Sequence, residues 1–263
     1  MIFSHPLRTR GTDCDPDHWV GIPAVLRFFE HCRWEWLRAP DLGLADLVHA
    51  GHGFYVTEQS VALSRRFGQG VSGEVRGVLR RVGRVEARAD QDFVRSDGVV
   101  LARCRIRGVW VGPTGRMARI PRSARAAVSD EPLSSRRGDD EPGTPGSLFD
   151  PPLPLRAGEL DLEAPEETPT GAHQRTLVVR SSDLDIFNHV NAANYVKFVA
   201  DSLAVQGASP SLHRVAVRYI GQAVAGDTVV VHTWPLGGDL WGGAVHRGED
   251  CLFQSVVHTE SSR

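Results

Sequence analysis

The tripeptide Asp13-Cys-Asp15 returns 170 residues later as Asp183-Leu-Asp185. Each copy follows a strand-like run, residues 2–10 in the first and Thr176-Leu-Val-Val179 in the second, and each precedes a helical pattern. In the first helix Val25, Phe28, Phe29, Cys32 and Trp36 share one face, with Pro23 in the first turn and Pro40 at the stop. In the second, Tyr195, Phe198 and Val199 fall at i, i+3 and i+4, followed by Leu203. β-like segments come next in both halves. They run roughly over 54–67, 74–95 and 99–112, then over 213–220, 228–236, 240–247 and 251–259. A second overlap aligns Arg65–Glu74 on Arg218–Asp227 without a gap, 153 residues apart, which makes the first copy 17 residues longer between helix and sheet. A repeat of this length means two similar domains, not a solenoid of short units.

A helix with one apolar stripe must bury it, and the sheet that follows is the available partner. The expected class is α+β, each half an antiparallel sheet wrapped on one long helix. The expected boundaries are 1–126 for the first copy, 127–170 for a linker and 171–263 for the second. The linker is rich in Pro, Gly, Ser and acids, as in Glu141-Pro-Gly-Thr-Pro-Gly-Ser147, a composition that buries little apolar surface. Charge is unevenly placed: residues 1–126 carry twenty Arg against thirteen acids, and residues 127–170 carry three Arg against eleven. The net charge of −2 argues against a general nucleic-acid binder. No run reaches the length of a membrane span, and the N-terminus lacks the basic-then-apolar pattern of a signal peptide. Cys14, Cys32, Cys104 and Cys251 lie far apart with no Cys-x-x-Cys spacing, which suits a reduced cytoplasm better than disulfides or zinc. Neither a metal nor another cofactor is expected.

Between strand and helix, residues 182–191 bring two carboxylates, a His and two Asn to the mouth of a helix. An acid or base would there stand beside backbone N–H groups without intrahelical partners, an arrangement suited to chemistry at a polarised carbonyl. The plain alternative is a capping loop, with Asn191 as an ordinary N-cap.

The full pattern, Asp183-x-Asp185-x-Phe187-x-His189-Val190-Asn191-x-Ala193-x-Tyr195, resembles the active-site motif of hotdog-fold thioesterases, especially acyl-CoA thioesterases of the 4-hydroxybenzoyl-CoA type. The tandem plan, with Arg119-Ile-Pro-Arg122 before the linker, resembles the acyl-ACP thioesterases of bacteria and plant plastids. These resemblances imply a double hotdog that pairs as a pseudo-dimer within one chain, with further homodimerisation open. They imply hydrolysis of an acyl thioester carried on acyl carrier protein or coenzyme A. Asp185 would be nucleophile or general base, and His189 would orient water, protonate the leaving thiolate or buttress the loop. The helix N-terminal N–H groups would polarise the carbonyl. Asn191, Tyr195 and Phe187 would contact substrate. The chain departs from the acyl-ACP pattern at Phe187, which stands where that family has an Asn, while Asn188 comes one residue later. Asn188 could substitute from there, or the site could work without it.

In the first copy Asp15 holds the carboxylate position, but His18 is one residue early relative to His189. This loop is either a second active site or a wall of the acyl pocket, and the tandem resemblance favours the latter, with chain-length choice in the first copy. Trp34, Trp36 and Trp110 read as core residues, with the acyl tunnel as the other use. The arginines 65, 66, 76, 80, 81, 84 and 88 would make a basic face for coenzyme A phosphates or an acidic carrier, or else a solvated sheet face. Glu249 or Asp250 could supply a second carboxylate, against a plain polar hairpin turn at Arg247-Gly-Glu-Asp250. The motifs of serine hydrolases, P-loop proteins and zinc proteases are missing from the sequence. Two alternatives remain: a hotdog hydratase or dehydratase, and a non-catalytic acyl-CoA-binding protein.

Overall fold

The computed structural model describes residues 1–15, 17–39, 44–131, 133, 169, 172–208 and 211–259, so most of the expected linker lies outside the described residues. The chain divides into two units, Met1–Val20 with Arg27–Ala157 and Gly21–Leu26 with Gly158–Arg263.

In the first half, strands β1 (Ile2–Arg8), β2 (Gly53–Leu63), β3 (Ser72–Val82), β4 (Glu86–Arg95) and β5 (Val100–Val111) form antiparallel pairs in the order β1-β3-β4-β5-β2. Helix α1 (Ile22–Arg38) carries the expected apolar face, and Val25, Phe28, Phe29, Cys32 and Trp36 are all buried. Short helices α2 (Ala45–His49) and α3 (Arg122–Ala126) flank the sheet segments. The single β-segment expected over 74–95 is in fact two strands: the Gly83 N–H donates to Glu86 O (2.7 Å) and turns the chain. Val82 and Val85 on either side of that turn keep the stretch apolar, which hides the break from a pattern search.

Side chains on β5 alternate as a half-covered strand requires, with Ala102, Cys104 and Ile106 buried and Arg103 and Arg105 exposed. Of the arginines read as either a basic face or a solvated sheet face, Arg76, Arg80 and Arg88 are paired with acids on the outer face. Arg107 pairs with Glu86 (2.6 Å) and Glu58 (3.3 Å), Arg80 with Asp90 (2.8 Å), Arg88 with Glu86 (3.6 Å) and Arg76 with Glu74. Glu58, Glu86 and Asp90 reach Arg107 and Arg80 from neighbouring strands, whereas Glu74 and Glu86 pair with Arg76 and Arg88 two residues along the same strand.

The second half repeats the design with β6 (His173–Val178), α4 (Ala192–Val205), β7 (Leu212–Tyr219), β8 (Thr228–Gly237), β9 (Leu240–Arg247) and β10 (Asp250–Thr259), in the order β7-β10-β9-β8-β6. The Tyr195 ring stacks on Phe253 at 5.3 Å and 9°. Val199 sits over Gly243, where a Cβ would come within 2.9 Å of both its methyls.

Backbone hydrogen bonds verify the duplication and correct part of its register. Thr9 N–H donates to Val71 O, and Val179 N–H to Asp227 O, both at 2.9 Å. Gly70 N–H returns to Thr9 O, as Gly226 N–H does to Val179 O. These partners are 156 residues apart, so the ungapped overlap at 153 slips by three. The sequence match was set by two Gly-Gln pairs at 68 and 221, whereas the equivalent turn glycines are Gly70 and Gly226, with φ of 80° and 89°.

Candidate active site

Both Asp-x-Asp loops are built by the same bonds. Asp183 closes a short 3-10 turn: its Oδ2 accepts from Arg180 N–H at 2.8 Å, as Asp13 does from Arg10 N–H at 2.7 Å. Two residues on, Asp185 Oδ1 accepts from Phe187 N–H (2.8 Å) and His189 N–H (3.3 Å), and Asp185 N–H donates to His189 O (2.8 Å). In the first copy Asp15 Oδ1 accepts from Asp17 N–H and Trp19 N–H, both at 3.0 Å, and Asp15 N–H donates to Trp19 O at 2.8 Å. The apex residue takes the left-handed conformation in each, Asn188 at φ 61° and His18 at φ 67°. Asn and His tolerate that region better than most residues, which accounts for their presence there.

The loops therefore differ in what they present rather than in how they are held. Asn188 is exposed at the apex, with its N–H on Asp185 O (3.1 Å). Its counterpart is His18, and the counterpart of His189 is Trp19, so the first copy has no imidazole at that position. In the second copy Asp185 and His189 are half-buried. Asp185 Oδ2 has no hydrogen-bond partner among the described residues, and His189 Nδ1 is buried without one.

Asn191 caps α4, its Oδ1 accepting from Ala193 N–H at 2.9 Å. Most nearby N–H groups are also engaged: Val190 N–H on Ala223 O (2.9 Å), Asn191 N–H on Asp183 O (2.9 Å) and Asn194 N–H on Asn191 O (2.8 Å). That leaves the Ala192 N–H, at the first helical position, without an acceptor among the described residues. Phe187 is half-buried in the loop. Tyr195 is buried at 3% exposure, its hydroxyl oxygen accepting from Ala223 N–H at 3.0 Å, and burial pushes its pKa up to about 12.

Two family models match the chain. The acyl-ACP thioesterase C-terminal domain matches residues 166–257, and the thioesterase-like superfamily matches residues 9–128. Together these matches mark the chain as a thioester hydrolase. No curated protein matches the sequence. Solved structures share its fold along nearly the whole length, among them these two. An acyl-ACP thioesterase from Bacteroides thetaiotaomicron is 16% identical, with a TM-score of 0.73 and 98% of each chain covered. The 12:0-ACP thioesterase from Umbellularia californica is 20% identical, with a TM-score of 0.72, covering 99% of this chain and 98% of its own.

Sequence reasoning missed how this thioesterase braces its loop. Within residues 222–227, the Ala223 carbonyl accepts the Val190 N–H and the Ala223 N–H donates to the Tyr195 hydroxyl. Arg247 locks that segment from the β9–β10 turn, donating to Asp227 Oδ2 (2.9 Å) and Gln222 O (3.2 Å). The Val224 N–H and Arg247 together hold the Asp227 carboxyl below its usual range. Asp250 pairs with Arg247 at 3.7 Å and is mostly exposed, in keeping with the plain hairpin-turn reading. The arginine in the Arg-Gly-Glu-Asp sequence was the available signal, and the flanking acids drew attention instead.

The first unit of the thioesterase holds a cavity of about 60 Å³, lined by Trp36, Leu37, Leu44, Phe54, Leu79, Ile106 and Trp110 among others. Trp34 is not in the lining and lies under Arg38, 5.8 Å from the guanidinium carbon. Arg33 also borders the cavity, but donates to buried Gln91 (2.9 Å), and the open lining is apolar. None of the cysteines is poised as a thiolate: burial raises all four, Cys32 and Cys104 to about 12. Among the described residues no group of three or more His, Cys, Asp or Glu is arranged to hold a metal, and no helix is long and apolar enough to cross a membrane.

Proposed function

We propose that this thioester hydrolase works as a double hotdog, cleaving acyl-ACP or acyl-CoA at the Asp185 loop. One observation carries the assignment: Asp185 is fixed through Oδ1 by its own loop while Oδ2 is left free, in the copy that also has an unpartnered imidazole. Oδ2 acts on the thioester carbon, either directly or by taking a proton from water that attacks it. In the water route, hydroxide adds to the carbonyl carbon and charge gathers on the carbonyl oxygen. The Ala192 N–H and the positive end of α4 stabilise that charge. The C–S bond then breaks, and His189 supplies the proton that converts the leaving thiolate to a thiol. Asn188, at the exposed apex, meets the carrier side of the substrate. Phe187 packs against the acyl group near the carbonyl. Asn191 and Tyr195 act by positioning α4 and the 222–227 segment. Chain-length choice belongs to the first copy, whose apolar cavity has room for roughly four or five water-sized groups.

The test is thiol release from a panel of acyl-CoA and acyl-ACP thioesters by wild type, Asp185→Asn and Asp15→Asn. An Asn at 185 still accepts the Phe187 and His189 N–H groups, so the loop keeps its form while the carboxylate is lost. The expected result is a fall in kcat of about a hundredfold or more for Asp185→Asn, with Asp15→Asn near wild type. Loss confined to Asp15→Asn moves catalysis to the first copy. Wild type that binds these thioesters but releases no thiol from any of them is a binding protein instead.

A further inference from the structure

Two groups of arginines stand out in the first unit. Those on the outer sheet face are neutralised by carboxylates, as described above. A second group, Arg81, Arg84, Arg116, Arg119, Arg122 and Arg125, is exposed, and none has a carboxylate within 4 Å among the described residues. Backbone bonds bring the six together. The Ile120 N–H donates to Arg84 O (2.8 Å), Arg125 reaches Gly83 O (3.4 Å), and residues 116–118 return along the end of β5 through the Gly112 and Ala118 N–H groups. Amid these cations Met117 is 68% exposed. Met1 and Ile2 are exposed as well, and the Met1 nitrogen donates to Ala127 O at the end of α3 (3.4 Å).

We infer that this patch is a docking surface for an anionic lipid bilayer. Clustered arginines are drawn to the negative headgroups of such a surface, and an exposed methionine among them can enter the apolar layer below. Charge alone would fit an acidic protein equally well; what turns the choice to a bilayer is the set of exposed apolar side chains in this part of the fold, Met117, Met1 and Ile2, free to sink below a headgroup layer. The two signals together, cations and an apolar side chain, are what reversible surface attachment requires. The inference concerns attachment and not a membrane span, and it stands apart from the proposed hydrolysis, since binding is read without substrate.

The experiment is co-sedimentation of the full chain with large unilamellar vesicles, either pure phosphatidylcholine or 70:30 phosphatidylcholine and phosphatidylglycerol. Wild type is expected to pellet with the anionic vesicles at low salt, to release at high salt, and to ignore the neutral ones. The triple variant Arg119→Glu/Arg122→Glu/Arg125→Glu should bind at least tenfold more weakly, with its circular dichroism and thiol release unchanged. Met117→Ser should also weaken binding while preserving its salt dependence. The proposal is overturned if wild type stays in the supernatant with anionic vesicles, or if the triple variant pellets like wild type. It is also overturned if the patch captures an acidic carrier protein while leaving vesicles unbound.

Discussion

At Asp183 the carboxylate takes the Arg180 N–H, and the carbonyl takes both the Asn191 N–H and the Asn194 side-chain amide, each at 2.9 Å. Asp185, two positions on, also commits one carboxylate oxygen to the loop, but it is the one tied to His189, whose N–H it accepts and whose carbonyl takes its own N–H. Asn191 links this turn to the helix, because its side chain caps α4 next to the Ala192 N–H that the proposed mechanism uses. Asn191→Ala should therefore cost about 1 kcal/mol in urea unfolding and lower kcat, while Asn191→Ser restores most of both. Stability that is lost without any change in kcat would show that the cap does not aim the donor.

Each long helix rests on a sheet glycine, and that seat is where an element-scale change should do most harm. A Cβ at Gly77 would lie 1.4 Å from the Trp36 ring, whose other neighbour is Phe3 at 5.3 Å. Gly77→Val must displace Trp36 and is expected to cost about 1–3 kcal/mol, read as a lower midpoint in denaturant. An unchanged midpoint would mean that α1 is not anchored there. None of this crowding was legible in the sequence, because it depends on which β3 position faces which turn of α1. What could be read was whatever repeats along one element: the apolar faces of α1 and α4, the alternation of β5, and the two Asp-x-Asp loops. What could not be read depends on pairing across strands, such as the carboxylates of Glu58, Glu86 and Asp90 that reach Arg107 and Arg80. The site divides in the same way. Asp185, His189 and the cap at Asn191 stood out in the motif, whereas the brace from Ala223, Asp227 and Arg247 joins segments 20 to 60 residues apart in the chain.

For the whole molecule, buried imidazoles and paired carboxylates should make acid destabilisation come in two stages. His232 and His246 lie on neighbouring strands with ring centroids 5.0 Å apart, and burial lowers both, His232 also through the charge of His246. Their ordinary value is 6.5. Below it the unfolded chain binds protons that the folded one refuses, so stability falls as pH drops through and below that point until the folded rings titrate. Glu74, held low chiefly by the Ser4 hydroxyl, Glu86, held by Arg107, and Asp227 behave in the opposite sense of charge. Their contribution is intact above the ordinary carboxylate range of about 4 and is lost only as pH falls through their lowered folded values. Thermal midpoints measured from pH 7.5 to 3 should thus decline first as pH falls below 6.5, then again below about 4. His232→Phe replaces a ring whose Nδ1 is buried without a partner among the described residues, and it removes one of the two imidazoles. It should flatten the first decline and leave the second in place. If the variant keeps the wild-type slope just below pH 6.5, the histidine pair is not the source of that stage, and other titrating groups must carry it.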